Sequence, residues 1–273
     1  MFKKSIFLTA ASVAAFAVPV TGASAETSAR DPFSGVYAGI HVGMTRGTIS
    51  LGSRTVTRPE ETIPGATAGD PDIVLPAADA TIPRDSNGSG LSLLGGGQVG
   101  FNYATRDMLF GIEVDASITT AGTNYEAQLI EEVTGDPAPP ARLLTSNVSA
   151  DIDYSGSARV RVGMRNEDLV YFVTAGLAAA HVSVDSVGNT LVQDGVDGTR
   201  TVTASDSANH MGWTGGAGIL GWFGGHALGS IELRYSNYGS KTYDVAGSAD
   251  TPTVPTRVGL SDIQLLVRMS YRF

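Results

Sequence analysis

The chain has 273 residues, with 18 basic and 27 acidic side chains, a formal net charge of −9 and no cysteine. Disulfides, thiolate metal sites and a lipid anchor on cysteine are therefore excluded. The acidic balance argues against nucleic acid, which needs a concentrated basic surface. Charged residues make up 16% of the chain, against about a quarter in typical soluble proteins.

The N-terminal segment predicts a cleaved export signal. The basic pair Lys3-Lys4 precedes an apolar stretch over residues 6–20, and Ala23-Ser24-Ala25 fits the small-residue cleavage rule. We expect residues 1–25 to be removed and residues 26–273 to form one domain. The mature chain then keeps 16 basic and 27 acidic residues, a net charge of −11. No later run of about 18 to 20 apolar residues could form a membrane-spanning helix.

Eight segments of the mature chain alternate apolar and polar residues with a period of two, which is typical of β-strands with one apolar face. In chain order, these predicted strands are residues 35–49, 91–103, 108–119, 148–164, 169–184, 210–223, 227–238 and 261–273. The third is the clearest, since Ile112 and Val114 alternate with Glu113 and Asp115. In the fifth, the alternation slips near His181, which predicts a β-bulge there.

The terminal strand indicates the kind of sheet. Its apolar parity continues to the last residue, Phe273, and Leu266 is the one apolar residue on its polar parity. A strand that ends on an aromatic residue is what we expect of the closing strand of a transmembrane barrel.

The connections between strands alternate strictly in length. Residues 104–107, 165–168 and 224–226 have the length of hairpin turns. Residues 50–90, 120–147, 185–209 and 239–257 form long polar connections, and we predict that the first two carry no packed structure of their own. This alternation is the pattern of outer-membrane barrels, with short periplasmic turns and long extracellular loops. The predicted fold is thus all-β, an eight-stranded antiparallel transmembrane barrel.

Several of these segments resemble the small outer-membrane β-barrel proteins of the opacity-porin type, related to the eight-stranded OmpA-like barrel. The resemblance rests on residues 33–39, 95–103, 110–115, 212–218, 232–235 and 270–273. It covers nearly the whole mature chain apart from the loops. It implies an outer-membrane location and insertion by the barrel-assembly machinery, which would recognise Tyr271 and Phe273.

With the polar parity inside, the predicted interior contains charges of both signs. The proposed charge network consists of Glu113, Asp115, Asp153, Arg159, Arg161, Glu232, Arg234, Arg268 and Arg272. Asp151 lies on the same parity, and we expect Asp151 and Asp153 to lie nearer the extracellular rim and to be only partly enclosed. Eight strands leave room only for side chains, and an unpaired ion there costs several kcal/mol. We therefore expect paired charges that plug the barrel, and the alternative is a narrow ion path lined by the same residues.

Aromatic residues near the strand ends suit the interfacial girdles of a barrel where they point outward. They are Tyr37, Tyr103, Tyr171, Tyr235, Tyr271 and Phe273. The alternative is ordinary packing between neighbouring strands.

Evidence for catalysis or cofactors is weak. Of the four histidines, only His41 is predicted to face inward where it could meet Ser or Asp of a neighbouring strand, and solitary histidines are usually structural. The run Gly95-Gly96-Gly97 lacks the lysine and helix of a phosphate loop. Acidic residues in the long connections lack the spacing of a calcium loop. No enzyme activity, cofactor or metal is expected.

Three functions follow, in order of preference. The first is a structural or surface-interaction barrel with a plugged interior, in contact with outer-membrane lipid and with an unknown surface ligand at its loops. The second is a small porin for ions or small solutes. The third is a lipid-modifying enzyme of the outer membrane that would depend on His41.

Overall fold

A computed structural model describes residues 31–52, 54–58, 61–63, 73–75, 78–82, 87–119, 127–132, 142–192, 199–246 and 253–273. The predicted export signal, residues 1–25, lies outside them. Within the described ranges, no helix is long and apolar enough to cross a membrane.

Thirteen strands form the described structure. In chain order they are β1 (Gly35–Leu51), β2 (Arg54–Arg58), β3 (Glu61–Ile63), β4 (Ile73–Leu75), β5 (Ala78–Ile82), β6 (Asn87–Ala104), β7 (Met108–Thr119), β8 (Ala127–Glu132), β9 (Arg142–Asn166), β10 (Leu169–Val192), β11 (Thr199–Trp222), β12 (Ala227–Ala246) and β13 (Thr253–Arg272).

Eight of these strands close into a ring. The order is β1-β6-β7-β9-β10-β11-β12-β13, every pairing is antiparallel, and β13 pairs back onto β1. The closing register runs from Tyr37 opposite Arg272 to Leu51 opposite Val258. Closure satisfies the backbone groups that a sheet edge would leave unpaired. The predicted fold class is confirmed.

Short turns join β6 to β7, β9 to β10 and β11 to β12, as predicted. Left-handed backbone conformations occur at Glu167 (φ 53°), Gly224 (φ 97°) and Gly225 (φ 55°), and such tight reversals require them. We call this end of the ring the turn end and the opposite end the loop end.

The third and fourth long connections are much shorter than predicted. Strand β10 continues to Val192 and β11 begins at Thr199, while β12 continues to Ala246 and β13 begins at Thr253. The prediction of loops over residues 185–209 and 239–257 is therefore wrong. These segments lack an apolar outward face, so the pattern used to find the other strands was missing.

The first two connections also contain strands, contrary to the prediction. Strand β2 pairs with β5, β3 pairs with β4, and β8 adds to the edge of β9. The sequence of β2 is Arg-Thr-Val-Thr-Arg, whose β-branched residues favour extended backbone. The high Pro and Asp content around these short strands obscured them.

A continuous surface of exposed apolar side chains, which we call the belt, surrounds the ring. It consists of Ile40, Val42 and Met44; Leu91, Leu93, Val99 and Phe101; Ile112, Val114 and Ile118; Val160 and Val162; Tyr171, Val173 and Leu177; Trp213 and Ile219; Ile231, Leu233 and Tyr235; and Ile263, Leu265, Val267, Met269 and Tyr271. Trp213 contacts Tyr235 at its loop-end edge, with ring centroids 5.4 Å apart. Tyr271 contacts Phe273 at the turn end, with centroids 5.3 Å apart.

Beyond the belt, several strands continue toward the loop end, and we call this part the extension. It consists of residues 47–51, 142–153, 179–192, 199–212, 238–246 and 253–261. Strand β10 has 24 residues, whereas about 9–11 suffice to cross a bilayer. The extension therefore stands beyond the hydrocarbon layer that the belt would face.

Side-chain polarity reverses in the extension. On β10, Val182 and Val184 are buried inside the ring, while Asp185 is exposed on the outside. The belt has the opposite arrangement. The extension is thus built like a water-soluble barrel.

Candidate functional site in the barrel interior

The interior of the belt region contains a network of ion pairs centred on Arg159. Its guanidinium group contacts the carboxylates of Glu113, Asp115 and Glu232, with 2.8 Å between Nη2 and Asp115 Oδ2. The Arg159 side chain has no exposed surface. These residues converge because alternate positions of β7, β9 and β12 face the ring interior.

Three further arginines complete the network. Arg161 Nη2 lies 2.8 Å from Glu113 Oε2, and Arg234 Nη1 lies 3.2 Å from Asp115 Oδ1. Arg268 contacts both Glu113 and Glu232. Four guanidinium groups thus meet three carboxylates, so the network carries one excess positive charge.

A polar layer lies next to the network on the loop-end side. Asp262, buried on β13, accepts hydrogen bonds from Gln264 Nε2 at 2.8 Å and from Thr45 Oγ1 at 3.3 Å. These hydrogen bonds come from neutral side chains of β13 and β1, so the polar layer joins these two strands inside the ring.

An apolar cluster closes the turn end. Its buried members are Phe33, Leu109, Val170, Phe172, Leu220 and Leu228. Phe33 belongs to the segment that precedes β1, and Asp31 of this segment pairs with Arg165 near the turn end of β9. The guanidinium of Arg161 stacks on Phe172 at 4.4 Å and joins this cluster to the network.

A second apolar cluster fills the extension. It contains Ile49, Leu51, Ala150, Ala178, Ala180, Val182, Val184, Tyr238, Tyr243, Val258 and Leu260. The interior therefore has four layers from turn end to loop end: apolar, charged, polar and apolar. The alternation pattern did not predict either apolar layer, although Leu109 on the polar parity of the third predicted strand indicated an inward apolar residue.

The extension has a seam between β11 and β12. Their ladder stops at Trp213 opposite Asn237, whereas the β10–β11 ladder reaches Leu191 opposite Thr199. Across this seam, among the described residues, side-chain bonds replace the ladder. His210 makes two of these bonds. Its Nε2 lies 2.7 Å from the Tyr243 hydroxyl, and its Nδ1 lies 3.3 Å from the Tyr238 carbonyl.

Burial controls the ionisation of the seam residues. The carbonyl of Tyr238 only accepts, so His210 donates through Nδ1–H and its neutral form accepts from Tyr243 through Nε2. Burial lowers the pKa of His210 below its ordinary 6.5, and the nearby Lys241 ammonium lowers it further. Burial raises the pKa of Tyr243 to about 12, and the Asp206 carboxylate adds to this shift. At neutral pH both groups are uncharged.

Seven of the nine residues proposed for the charge network lie together. They are Glu113, Asp115, Arg159, Arg161, Glu232, Arg234 and Arg268. The prediction is wrong for Arg272, which is buried at the turn end and donates from Nη1 to the Ser34 carbonyl at 3.2 Å. There it holds the segment that carries Phe33.

The prediction is also wrong for Asp153, which is exposed and accepts a hydrogen bond from Ser183 Oγ at 2.7 Å. The register shifts between His181 and Val182, as predicted, but the extra residue is Asp153 on β9. Because one extra residue inverts the alternation, Ala150 turns inward, and Asp151 does not face the network.

Five of the six aromatic residues proposed for the interfacial girdles point outward. Tyr103, Tyr171, Tyr235, Tyr271 and Phe273 are exposed near the belt edges, whereas Tyr37 is buried and donates to Glu113 at 2.7 Å. Tyr37 therefore points into the ring and belongs to the interior network, and the girdle prediction is wrong for this residue.

His41 faces inward and does meet a serine. Its Nε2 lies 2.8 Å from Ser117 Oγ, and its Nδ1 lies 2.7 Å from Gln98 Oε1. A nucleophilic triad has a carboxylate where Gln98 stands, and it needs open access to its serine. Both His41 and Ser117 are buried. Among the described residues, no group of three or more histidines and carboxylates could hold a metal ion.

Comparison with known proteins agrees with this architecture. Residues 15–273 match the model of the family described as "Outer membrane protein beta-barrel domain". The 25 kDa outer-membrane immunogenic protein of Brucella abortus is 26% identical over 178 residues, 65% of this chain and 64% of the relative. The 22 kDa outer membrane protein of Rhizobium leguminosarum is 27% identical over 152 residues, 55% of this chain and 56% of the relative. The chain thus spans under two thirds of these relatives.

Two solved structures align with most of this chain. Ail, the attachment invasion locus protein of Yersinia pestis, has a TM-score of 0.28 at 13% identity, with 86% of this chain and 99% of Ail covered. Neisserial surface protein A has a TM-score of 0.32 at 11% identity, with 86% and 97% covered. On the family match, the chain belongs to the outer membrane protein β-barrel family and is an eight-stranded barrel of the outer membrane.

Proposed function

We propose that the protein is a closed, non-conducting barrel that anchors a folded extension at the cell surface, with a structural and surface-interaction role. The observation that carries this proposal is the four-layered interior. A solute would have to displace the cluster around Phe172, then the network around Arg159, then the cluster around Val182.

Energetics favour the plug over a pore. Removing one partner from a buried ion pair costs about 3–5 kcal/mol, and Arg159 contacts three carboxylates at once. An open channel would require these ion pairs to be separated and solvated. It would also require the two apolar layers to be opened to water. Eight-stranded barrels also leave only side-chain space inside.

Planar-bilayer conductance tests the plug. We expect no stable channels from the purified barrel, with a porin of known conductance as the positive control. Stable single-channel steps that scale with salt concentration would overturn the plug and establish the alternative, a small porin.

Surface exposure is tested by cysteine labelling, because the chain contains no cysteine of its own. Ser205→Cys in the extension should react with a membrane-impermeant maleimide on intact cells. Val160→Cys in the belt and Asp107→Cys at the turn end are matched controls and should not react. Labelling of Asp107→Cys instead of Ser205→Cys would reverse the proposed orientation.

The barrel-assembly machinery is the proposed partner during insertion, through Tyr271 and Phe273. Both side chains are exposed at the turn end, and His226 stacks on Tyr271 with 5.1 Å between ring centroids. We expect Phe273→Ala to lower the fraction of heat-modifiable, assembled barrel in cells, with Met269→Ala as control. Equal assembly of both variants would contradict this role.

The enzyme alternative rests on the contact between His41 and Ser117. His41→Ala is the decisive variant. An unchanged lipid profile in cells that carry an assembled His41→Ala barrel would remove this alternative, whereas a lost modification would establish it.

A further inference from the structure

At and beyond the loop-end edge of the belt, the outer surface carries opposite charges on opposite sides of the ring. The side formed by β9 and β10, which we call the acidic face, carries Asp151, Asp153 and Asp185. The side formed by β13 and β1, which we call the basic face, carries Arg46 and Arg257. In the closed order of the ring, these two pairs of strands lie four strands apart, on opposite sides. The protein therefore has a negative and a positive side within the plane of the membrane.

The acidic face is centred on the bulge of β9. Asp153 is the extra residue there and is exposed, as is Asp185 on β10. Asp151 points to the same outer side, since its partner in the ladder is an outward residue of β10. Among the described side chains of this face there is no lysine or arginine, and His181 Nε2 lies 3.9 Å from Asp153 Oδ2. Tyr154 is 47% exposed beside Asp153, so an arginine that pairs with this carboxylate can also stack on an aromatic ring.

The basic face presents two guanidinium groups that are held by hydroxyl groups. Arg46 Nη2 donates to a serine hydroxyl of β6 at 3.3 Å, and Arg257 Nε donates to a serine hydroxyl of β12 at 2.6 Å. Neither arginine forms an ion pair among the described residues. On neighbouring β12, Lys241 and Asp244 are both exposed and offset each other in charge. The two arginines therefore remain available to carboxylates of another molecule.

The charges of the two faces lie at similar heights above the belt. Arg46 lies opposite a belt residue of β13, and Asp153 precedes the residue that lies opposite the last belt residue of β7. Arg257 is six residues further along β13, roughly 20 Å, and Asp185 is four residues beyond the bulge on β10, roughly 13 Å. Two copies that stand side by side in one membrane therefore bring Asp153 to the level of Arg46, with Asp185 and Arg257 above them.

The shape of the belt below the basic face also suits a neighbouring barrel. A groove of about 840 Å³ crosses it over β11, β12, β13 and β1, and its lining includes Ala217, Gly229 and Val267. Two convex cylinders touch only along a line, whereas a concave surface allows contact over a wider area. Below the acidic face, the exposed side chains of Val160 and Val173 are of a size to enter such a groove.

We propose that the acidic face of one copy binds the basic face of the next, so that the barrels form head-to-tail rows in the outer membrane. Because the two faces lie on opposite sides of the ring, each contact leaves one free face at either end, and the assembly stays open. Single ion pairs at a surface are weak. The membrane compensates for this, since it holds all copies at one height and in one orientation and so raises their effective concentration. This self-association goes beyond the proposed plug and does not depend on it.

Energy transfer between labelled barrels in phosphatidylcholine vesicles measures the association. Asn166→Cys at the turn end carries the donor or the acceptor dye, because the chain contains no cysteine of its own. We expect more transfer than a random distribution of barrels gives. The transfer should fall when salt is raised from 0.1 M to 1 M, because the Debye length falls from about 10 Å to about 3 Å. Phosphatidylcholine has no net charge, so charged lipids cannot bridge the copies.

Charge reversal identifies the two faces. Asp153→Lys with Asp185→Lys makes the acidic face positive, and Arg46→Glu with Arg257→Glu makes the basic face negative. Each double variant alone should associate at least about tenfold more weakly than the wild type, since like charges then meet. An equal mixture of the two double variants should recover the association, because positive copies then alternate with negative ones.

A control variant makes the same change of net charge away from both faces. Asp107→Lys with Asp168→Lys at the turn end should associate like the wild type. Heat-modifiable mobility checks that each variant is folded, and recovery in the mixture is a second check on both reversed variants.

Disulfide cross-linking tests the head-to-tail geometry. Ser183→Cys lies on the acidic face and Thr48→Cys on the basic face, and both positions point outward. The variant with both cysteines should give a ladder of cross-linked oligomers under oxidation, whereas each single variant should remain monomeric.

A random distribution of wild-type barrels would overturn the proposal, as would unchanged association of both reversed variants or a mixture that does not recover. Cross-linked dimers from either single cysteine variant would replace the rows with a self-complementary pair. Conductance does not depend on contacts outside the ring. A failed plug and a failed row are therefore distinguishable in the same preparation.

Discussion

The belt region and the extension are made from the same eight-stranded ring but with opposite polarity. In the belt, Val160 faces outward and its neighbour Arg159 faces inward. In the extension, Val182 faces inward and Ser183 faces outward on β10. The same ladder of backbone hydrogen bonds thus continues through both regions and does not determine which face is apolar. The surrounding medium does, because apolar side chains face lipid in one region and each other in the next.

The two regions also differ in how they are held together. The belt ring is closed by backbone ladders on every side, whereas the extension has a seam between β11 and β12 bridged by His210 and Tyr243. We expect the extension to open locally more readily than the belt, because the described parts of β11 and β12 form no backbone ladder at the seam. Four predictions test this contrast, in order of decreasing effect.

The largest effect is expected from Arg159→Met in the belt interior. It leaves three buried carboxylates short of a cation and should lower the free energy of unfolding by about 3–5 kcal/mol. Urea titration of the barrel in lipid vesicles measures this change. Arg165→Met, which removes a partly exposed pair with Asp31, is the control and should cost less than about 1 kcal/mol. Similar losses of unfolding free energy in both variants would mean that the buried network contributes no more to stability than the partly exposed pair.

The next effect concerns the outer surface. Val160→Arg places a charge against lipid and should lower the free energy of unfolding by about 2–4 kcal/mol. Ser205→Arg makes the corresponding change on the outer face of the extension and should stay within about 0.5 kcal/mol. The same vesicle titration compares them. A large cost for Ser205→Arg would show that this part of β11 faces lipid, and the extension would then be defined wrongly.

A smaller and local effect is expected inside the extension. Val182→Ala removes buried methyl groups from its apolar cluster and should cost about 1–3 kcal/mol. Because the belt region of the ring remains intact, amide hydrogen exchange should become faster in the extension and remain unchanged in the belt. Ser183→Ala is the control, since Ser183 faces outward. If exchange quickens equally in both regions, they unfold as one unit.

The smallest effect is a pH dependence at the seam. The folded-state pKa of His210 is lower than its unfolded value of 6.5, so the unfolded form binds the extra proton first. The contribution of neutral His210 to the free energy of unfolding is therefore fully present above about pH 6.5. It is lost as the pH falls toward the folded-state pKa. Hydrogen exchange in residues 199–212 should be faster at pH 5.5 than at pH 7.5, after correction for the intrinsic rate. His210→Gln should remove this difference, and its persistence would assign it to another group.

Most of the ring was predictable because lipid imposes a strong rule. Where one face must be apolar, alternation marks a strand almost residue by residue, as it does over Met108–Thr119. Seven members of the charge network were predictable for the same reason, since polar residues on the inner parity have nowhere else to point. Their pairing was not predictable, because it depends on register and side-chain reach across the ring.

Asp153 and Arg272 show two ways in which a prediction from alternation fails. For Asp153, one extra residue at the bulge inverts the alternation, and the sequence showed a slip near His181 but not which strand carried it. For Arg272, the parity is right but the depth is wrong, because Arg272 lies at the turn end beside Ser34. A pattern of period two gives the face and says nothing about neighbours across the ring.

The sequence alone was enough to predict the eight strands of the ring, the three short turns and the apolar outer face, because local alternation and turn chemistry encode all three. The layered interior and the continuation of the strands into an extension of inverted polarity became visible only in the folded ring. These features arise from residues distant in sequence, such as Thr45 and Asp262 or His210 and Tyr243. Only ring closure and register bring such residues together.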